Sequence, residues 1–184
     1  SALLAVLLLL FALLGVAPHD RETWALENSL FVASLVLLVA SWRRLPLSRA
    51  SCVQIFLFLA LHEVGAHYTY SNVPYESWWE ALSGGDVGGS RNHYDRFVHL
   101  CFGLLLAYPL RELLLRLLDL RGFAGYLLPV LLTLSFSAFY ELVEWAAALA
   151  FGGETAAAYV GTQGDEWDAQ KDMVLALAGS VGAM

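Results

Sequence analysis

The chain has 184 residues, of which 59% are hydrophobic and 15% charged, and its mean hydropathy is +0.61. A soluble domain is roughly 45–50% apolar and about 25% charged, so apolar residues gathered in long blocks mean an integral membrane protein. The net charge of -7 is confined to a few acidic places, and the lack of a basic patch interleaved with aromatics argues against nucleic acid as a partner.

A helix needs about 20 mostly apolar residues to cross the hydrocarbon core. Ala2–Ala17 is the first such block, and a short one. Gly15-Val16-Ala17 resembles the cleavage site of a signal peptide, but no charged region precedes it, which favours a true span. Leu26–Trp42, Ala50–Tyr70, Arg96–Leu113 and Gly122–Phe151 follow, and Asp168–Met184 is the last. The chain begins at Ser1 rather than Met and stops inside an apolar run, which predicts missing residues at both ends. The expected fold is all-α: a polytopic membrane helix bundle of about six transmembrane helices, forming one domain over residues 1–184 with the lipid bilayer as its surroundings.

Orientation follows from Lys and Arg, which accumulate on the cytoplasmic side. Arg43, Arg44 and Arg49 mark the second loop and Arg111, Arg116 and Arg121 the fourth, whereas loops one, three and five are richer in Asp and Glu. Both termini are therefore expected in the cytoplasm and the acidic loops outside. Cys52 and Cys101 would lie at opposite depths, as small packing residues rather than a disulfide.

Placed by depth, the polar residues converge. His62, Glu63 and His67 lie in the outer half of the third span, and Asp95 and His99 in the first turns of the fourth. Glu141 and Glu144 come about 30 Å of helical rise after Gly122, and Asp168 and Asp172 open the sixth. Residues three or four apart share a helix face. Glu63 with His67, Asp95 with His99, Glu141 with Glu144, and Asp168 with Asp172 are four such pairs from four helices. Carboxylates and imidazoles meeting inside a membrane protein need positive charge between them. Protons, the cations Arg91, Arg96 and Lys171, or a metal ion would each supply it. A bundle can build a metal site from such pairs, and mixed oxygen and nitrogen donors suit zinc, manganese or iron. The candidate ligands are the eight paired residues. Glu63 and Glu144 are candidate bases, Lys171 a further catalytic candidate, and Arg91, Asn92 and Arg96 candidate anion-binding groups.

Two motif matches fail. His62-Glu63-Val64-Gly65-Ala66-His67 resembles the zinc-protease pattern, but its histidines are five apart, about 140° around a helix rather than on one face. Asp168-Ala169-Gln170-Lys171-Asp172 lacks the glycine and ligand spacing of a calcium loop. Plainer roles stand beside the functional ones. Asp95 and Asp168 would stabilise helix N-termini, and the acids would pair with the nearby cations. Trp78, Trp79, Trp145, Trp167, Tyr68, Tyr70, Tyr75, Tyr94 and Tyr140 read as an interfacial belt. The glycine-rich stretch 84–90 reads as a flexible lid, and Gly65, Gly103, Gly179 and Gly182 as places of close helix contact.

The strings HEVGAHYTYSNVP, RNHYDRFVHLCFGLLLAYPLRE, SAFYELVEW and GTQGDEWDAQKDM, in that order, closely resemble the YjdF-like inner-membrane proteins, a family of unknown function. More remotely, the Asp–His pair opening one helix, the acidic pair ending the next and the Asp-rich start of the last resemble VanZ-like proteins, associated with resistance to glycopeptide antibiotics. The glutamine-and-arginine stretch of that second group is matched only loosely, by Gln163 and Gln170. The resemblance implies a bacterial inner-membrane protein and no particular reaction. Together with the polar convergence it favours an enzyme at the outer membrane face acting on a lipid-linked or envelope substrate. The alternatives are an accessory or sensing subunit with a membrane-protein partner, and a proton- or cation-coupled transporter. The last fits less well, because the inner halves of the spans are nearly apolar.

Overall fold

The computed structural model describes residues 2–85, 91–151, 160 and 162–184. The described residues form seven helices and no strand: α1 (Ala2–Leu14), α2 (Arg21–Ser41), α3 (Arg49–Tyr68), α4 (Tyr75–Ser83), α5 (Tyr94–Leu118), α6 (Ala124–Phe151) and α7 (Asp168–Ala183). Of these, α2, α3, α5 and α6 are long and apolar enough to cross a membrane. At 13 and 16 residues, α1 and α7 fall short of the required length. Four of the expected spans are thus shown among the described residues. Pro18 and Asp20 follow closely on α1, and α7 starts only at Asp168.

Local chemistry sets the helix ends. Asp20 caps α2 by accepting the Thr23 amide at 2.7 Å, and that hydrogen bond holds its carboxyl below the usual range. Ser48 caps α3 by accepting the Ser51 amide at 3.2 Å. The Ser48 amide in turn donates to Glu112 of α5 at 2.8 Å, and the Ser51 hydroxyl and Arg116 join the same carboxylate. This ties the start of α3 to the end of α5. The helix α4 was not foreseen. Nine residues, including the half-exposed Trp78 and Trp79, form it between Pro74 and the left-handed Gly84. Residues 86–90, most of the expected lid, lie outside the described residues.

Successive long helices run antiparallel, so one end of the bundle gathers the acidic residues and the other the basic loops. At the centre, α5 packs against α3, α6 and α7, and α3 also carries α1 and α2. The seam between α5 and α7 is the tightest. A Cβ on Gly103 would lie 2.0 Å from the Ala176 carbonyl oxygen, and one on Gly179 would lie 2.2 Å from that of Leu100. Only hydrogen fits there. The other two expected contact glycines behave differently: Gly65 faces the ring of Tyr70 in its own hairpin, and Gly182 touches nothing nearby. Cys52 and Cys101 are free thiols near the starts of α3 and α5.

Opposite that seam the packing is loose. α2 makes its main contact with α3, and a cavity of about 660 Å³ runs between α2, α3, α5 and α6. Val36 on α2 and Leu142 on α6 are exposed, as suits side chains facing lipid.

Candidate functional site

At the acidic end, α5 and α7 bring three metal-ligand types together. One donor atom each from Asp95, His99 and Asp172 lies within 4.8 Å of the others. Asp95 and His99 occupy one face of α5 four residues apart, with Nε2 to Oδ1 at 3.6 Å. The same nitrogen lies 3.6 Å from Oε1 of Glu141 on α6. Those separations are too long for hydrogen bonds. They are close to the spacing of about 3.4 Å between ligands that bind one ion tetrahedrally through bonds of about 2.1 Å. His99 Nδ1, Asp172 Oδ1 and Glu141 Oε1 are buried without a hydrogen-bond partner among the described residues. Buried polar atoms without partners are costly. No arginine or lysine among the described residues makes an ion pair with Asp95, Asp172, Glu141 or Glu144.

The cations serve a second cluster just above. Arg91 pairs with Asp168, and Arg96 spans Asp165 at 2.5 Å and Asp168 at 3.2 Å. Lys171 reaches Asp165 at 2.5 Å. Its ammonium, with the Trp167 amide and Arg96, holds the Asp165 carboxyl well below the usual carboxylate range. Asn92 is a clasp. Its amide donates to Gln163 Oε1 at 2.8 Å, and its carbonyl accepts from Gln163 Nε2 at 3.1 Å. Its side chain donates to Val73 and accepts the Tyr94 amide. Arg91, Arg96 and Asn92 therefore fasten the approach to α5 onto the approach to α7, and Lys171 braces Asp165 from within α7.

Two of the eight ligand candidates lie elsewhere. His67 turns toward α1, its Nδ1 2.8 Å from the Leu14 carbonyl oxygen. Glu63 is fully buried, and neither carboxylate oxygen has a hydrogen-bond partner among the described residues. Its neighbour His62 faces the large cavity instead, as do Asp95, His99 and Tyr140. Tyr70 brings its hydroxyl to 2.6 Å from His62 Nδ1. The other ring nitrogen of His62 is Nε2. That nitrogen is buried and has no partner among the described residues.

Sequence reasoning missed Glu27. It is almost fully buried on α2 and accepts the Tyr140 hydroxyl at 2.8 Å. Its signal was an acid inside an apolar span at the depth of the other acids. Tyr94 is also buried, with its hydroxyl on the Leu61 carbonyl at 2.8 Å. Tyr94 thus leaves the interfacial belt for the interior and Tyr70 and Tyr140 turn half-buried toward it, while Trp145 and Trp167 remain exposed.

The triad separates two spaces. On one side lies a cavity of about 90 Å³ bordered by Glu141, Glu144, Asp168 and Asp172, room for about three waters. On the other, Asp95 and His99 form the polar end of the large cavity. Below them that cavity is apolar except for Ser34, Ser41, Thr133 and Ser137.

Fold and site together define a helical membrane protein with a carboxylate–imidazole cluster set between a small polar cavity and a long apolar one. The chain belongs to the family described as "Predicted membrane protein (DUF2238)", which matches residues 1–184. It is similar to the inner membrane protein YjdF of Escherichia coli (strain K12), 39% identical over 187 residues that span 98% of this chain and 84% of the relative. No solved structure matches the chain.

Proposed function

We propose that this protein is an inner-membrane enzyme that uses a divalent metal ion at the periplasmic face to hydrolyse, or transfer a group from, a lipid-linked substrate. The observation that carries this reading is the position of Asp95, His99 and Asp172. Their donors converge in the wall between a water-sized polar space and a chain-sized apolar one. Zinc, manganese or iron suits the donor set, and Glu141 stands ready as a fourth ligand. Bound there, such an ion would supply Lewis acidity toward water or a phosphoryl or carbonyl oxygen. Glu144, which borders the small cavity, serves as general base for water entering from that side. Arg91, Arg96 and Lys171 hold the loops over the site through Asp165 and Asp168. Inner-membrane placement is supported by the similarity to the Escherichia coli relative.

Metal content tests this directly. Protein purified from metal-supplemented cells should carry near-stoichiometric zinc, manganese or iron by inductively coupled plasma mass spectrometry. Asp172→Asn should lose at least tenfold, and the double variant Glu63→Ala/His67→Ala should lose none. A parent protein without metal would overturn the reading. The paired cations favour a second one, an accessory subunit whose charges brace the bundle, and a partner search would then take precedence over a substrate screen.

A further inference from the structure

The large cavity has a polar end and an apolar body. We infer that it seats one hydrocarbon chain of a lipid with a hydroxyl-bearing head group, and that this lipid is the substrate class of the triad. The chemistry rests on the metal reading just given; the seating does not.

Size and shape come first. Small-molecule sites run from about 300 to 1,000 Å³, and this cavity holds about 660 Å³. Its lining on α2 extends from Leu30 to Trp42, a rise of about 18 Å at 1.5 Å per residue. An extended chain fits that length. The loose contact between α2 and its neighbours opens the cavity to the hydrocarbon from which such a chain would enter.

The polar end selects the head. His62 brings Nε2, buried and without a hydrogen-bond partner among the described residues, to this end, and Asp95 brings its carboxyl group to the same lining. A hydroxyl both donates and accepts and so satisfies both. A bare phosphate would face Asp95 with no lysine or arginine in the lining. The nearby cations are committed to Asp165 and Asp168 on the far side of the triad.

The test uses monopalmitoylglycerol carrying a chain diazirine, added to protein in phosphatidylcholine vesicles and photolysed, with adducts mapped by mass spectrometry. Adducts should fall on the cavity faces of α2, α3, α5 and α6. Ala33→Trp, at an exposed position that lines the cavity, should reduce them at least tenfold while metal content stays unchanged. Unlabelled monopalmitoylglycerol should compete at least tenfold better than monopalmitoyl phosphate. Asp172→Asn should lose metal and keep the adducts, so the two readings fail separately. Equal labelling of the outward residues Val174 and Val181 on α7 would mean bulk lipid only and would overturn the proposal. Equal competition by the phosphate would overturn the head-group assignment. Joining of two copies through Ser34→Cys, with loss of adducts, would make a second copy the occupant instead.

Discussion

The seam between α5 and α7 and the gap between α2 and α6 are built from similar apolar residues, yet one admits no added methyl and the other holds a cavity. The difference lies in where the small residues sit. Gly103 and Gly179 face each other's helix and let two backbones touch, whereas Ala33 and Ser34 face open space. Hydrophobicity puts all these helices in the membrane; residue size decides which of them meet. The closed side fixes Asp95, His99 and Asp172 relative to one another. The open side leaves room beside them.

Substitutions on the two sides should separate accordingly. Gly103→Leu should have the largest effect, destabilising by about 3 kcal/mol through overpacking against the Ala176 backbone. A thermal midpoint in detergent that does not fall would break the comparison. Asp168→Asn removes a nearly buried carboxylate shared by Arg91 and Arg96. Breaking a buried pair costs about 3–5 kcal/mol, and partial exposure of the arginines should reduce this to about 2 kcal/mol by the same midpoint. Tyr140→Phe takes the hydrogen bond from Glu27 and should cost about 1.5 kcal/mol. Asp165 sharpens the picture through pH. Because its folded value is depressed, its contribution is present above the unfolded value near about 4 and is lost as pH falls through the folded one. The midpoint difference between the parent and Asp165→Asn should therefore hold from pH 7 to pH 5 and shrink below about pH 4. Ala33→Trp on the open side should change stability least, within about 0.5 kcal/mol.

The spans were legible because a run of apolar residues reports its own surroundings, and α2, α3, α5 and α6 fall where those runs predict. The depth of the acids was legible for the same reason. Rotation about the helix axis was not. His62 and His67 lie on different faces of α3, and only the positions of α1 and Tyr70 decide which one meets the cavity. Glu27 escaped notice because it has no acid or histidine three or four residues away; its partner comes from α6, 113 residues later. That Arg91, Arg96 and Lys171 would pair with nearby acids was legible, but which acids was not: Arg91 and Arg96 reach Asp168 and Asp165 about 70 residues later, and Asn92 clasps Gln163 across the same distance, a relation no local pattern encodes. The short α4 was hidden because its tryptophans resemble interfacial anchors equally well in a helix or a loop.

Thr69 and Tyr70 follow α3 with consecutive left-handed backbones, at φ 59° and 43°, a conformation that costs about 1–3 kcal/mol for each such residue. The reverse in the chain carries the Tyr70 ring back over Gly65, where a Cβ would lie 2.6 Å from Cζ. The two positions are thereby locked into a shared history. A side chain at Gly65 is admissible only in a chain that has given up the ring at Tyr70, and a smaller residue at Tyr70 frees Gly65 to vary. Descendants of this sequence should therefore change Gly65 only where Tyr70 has changed as well.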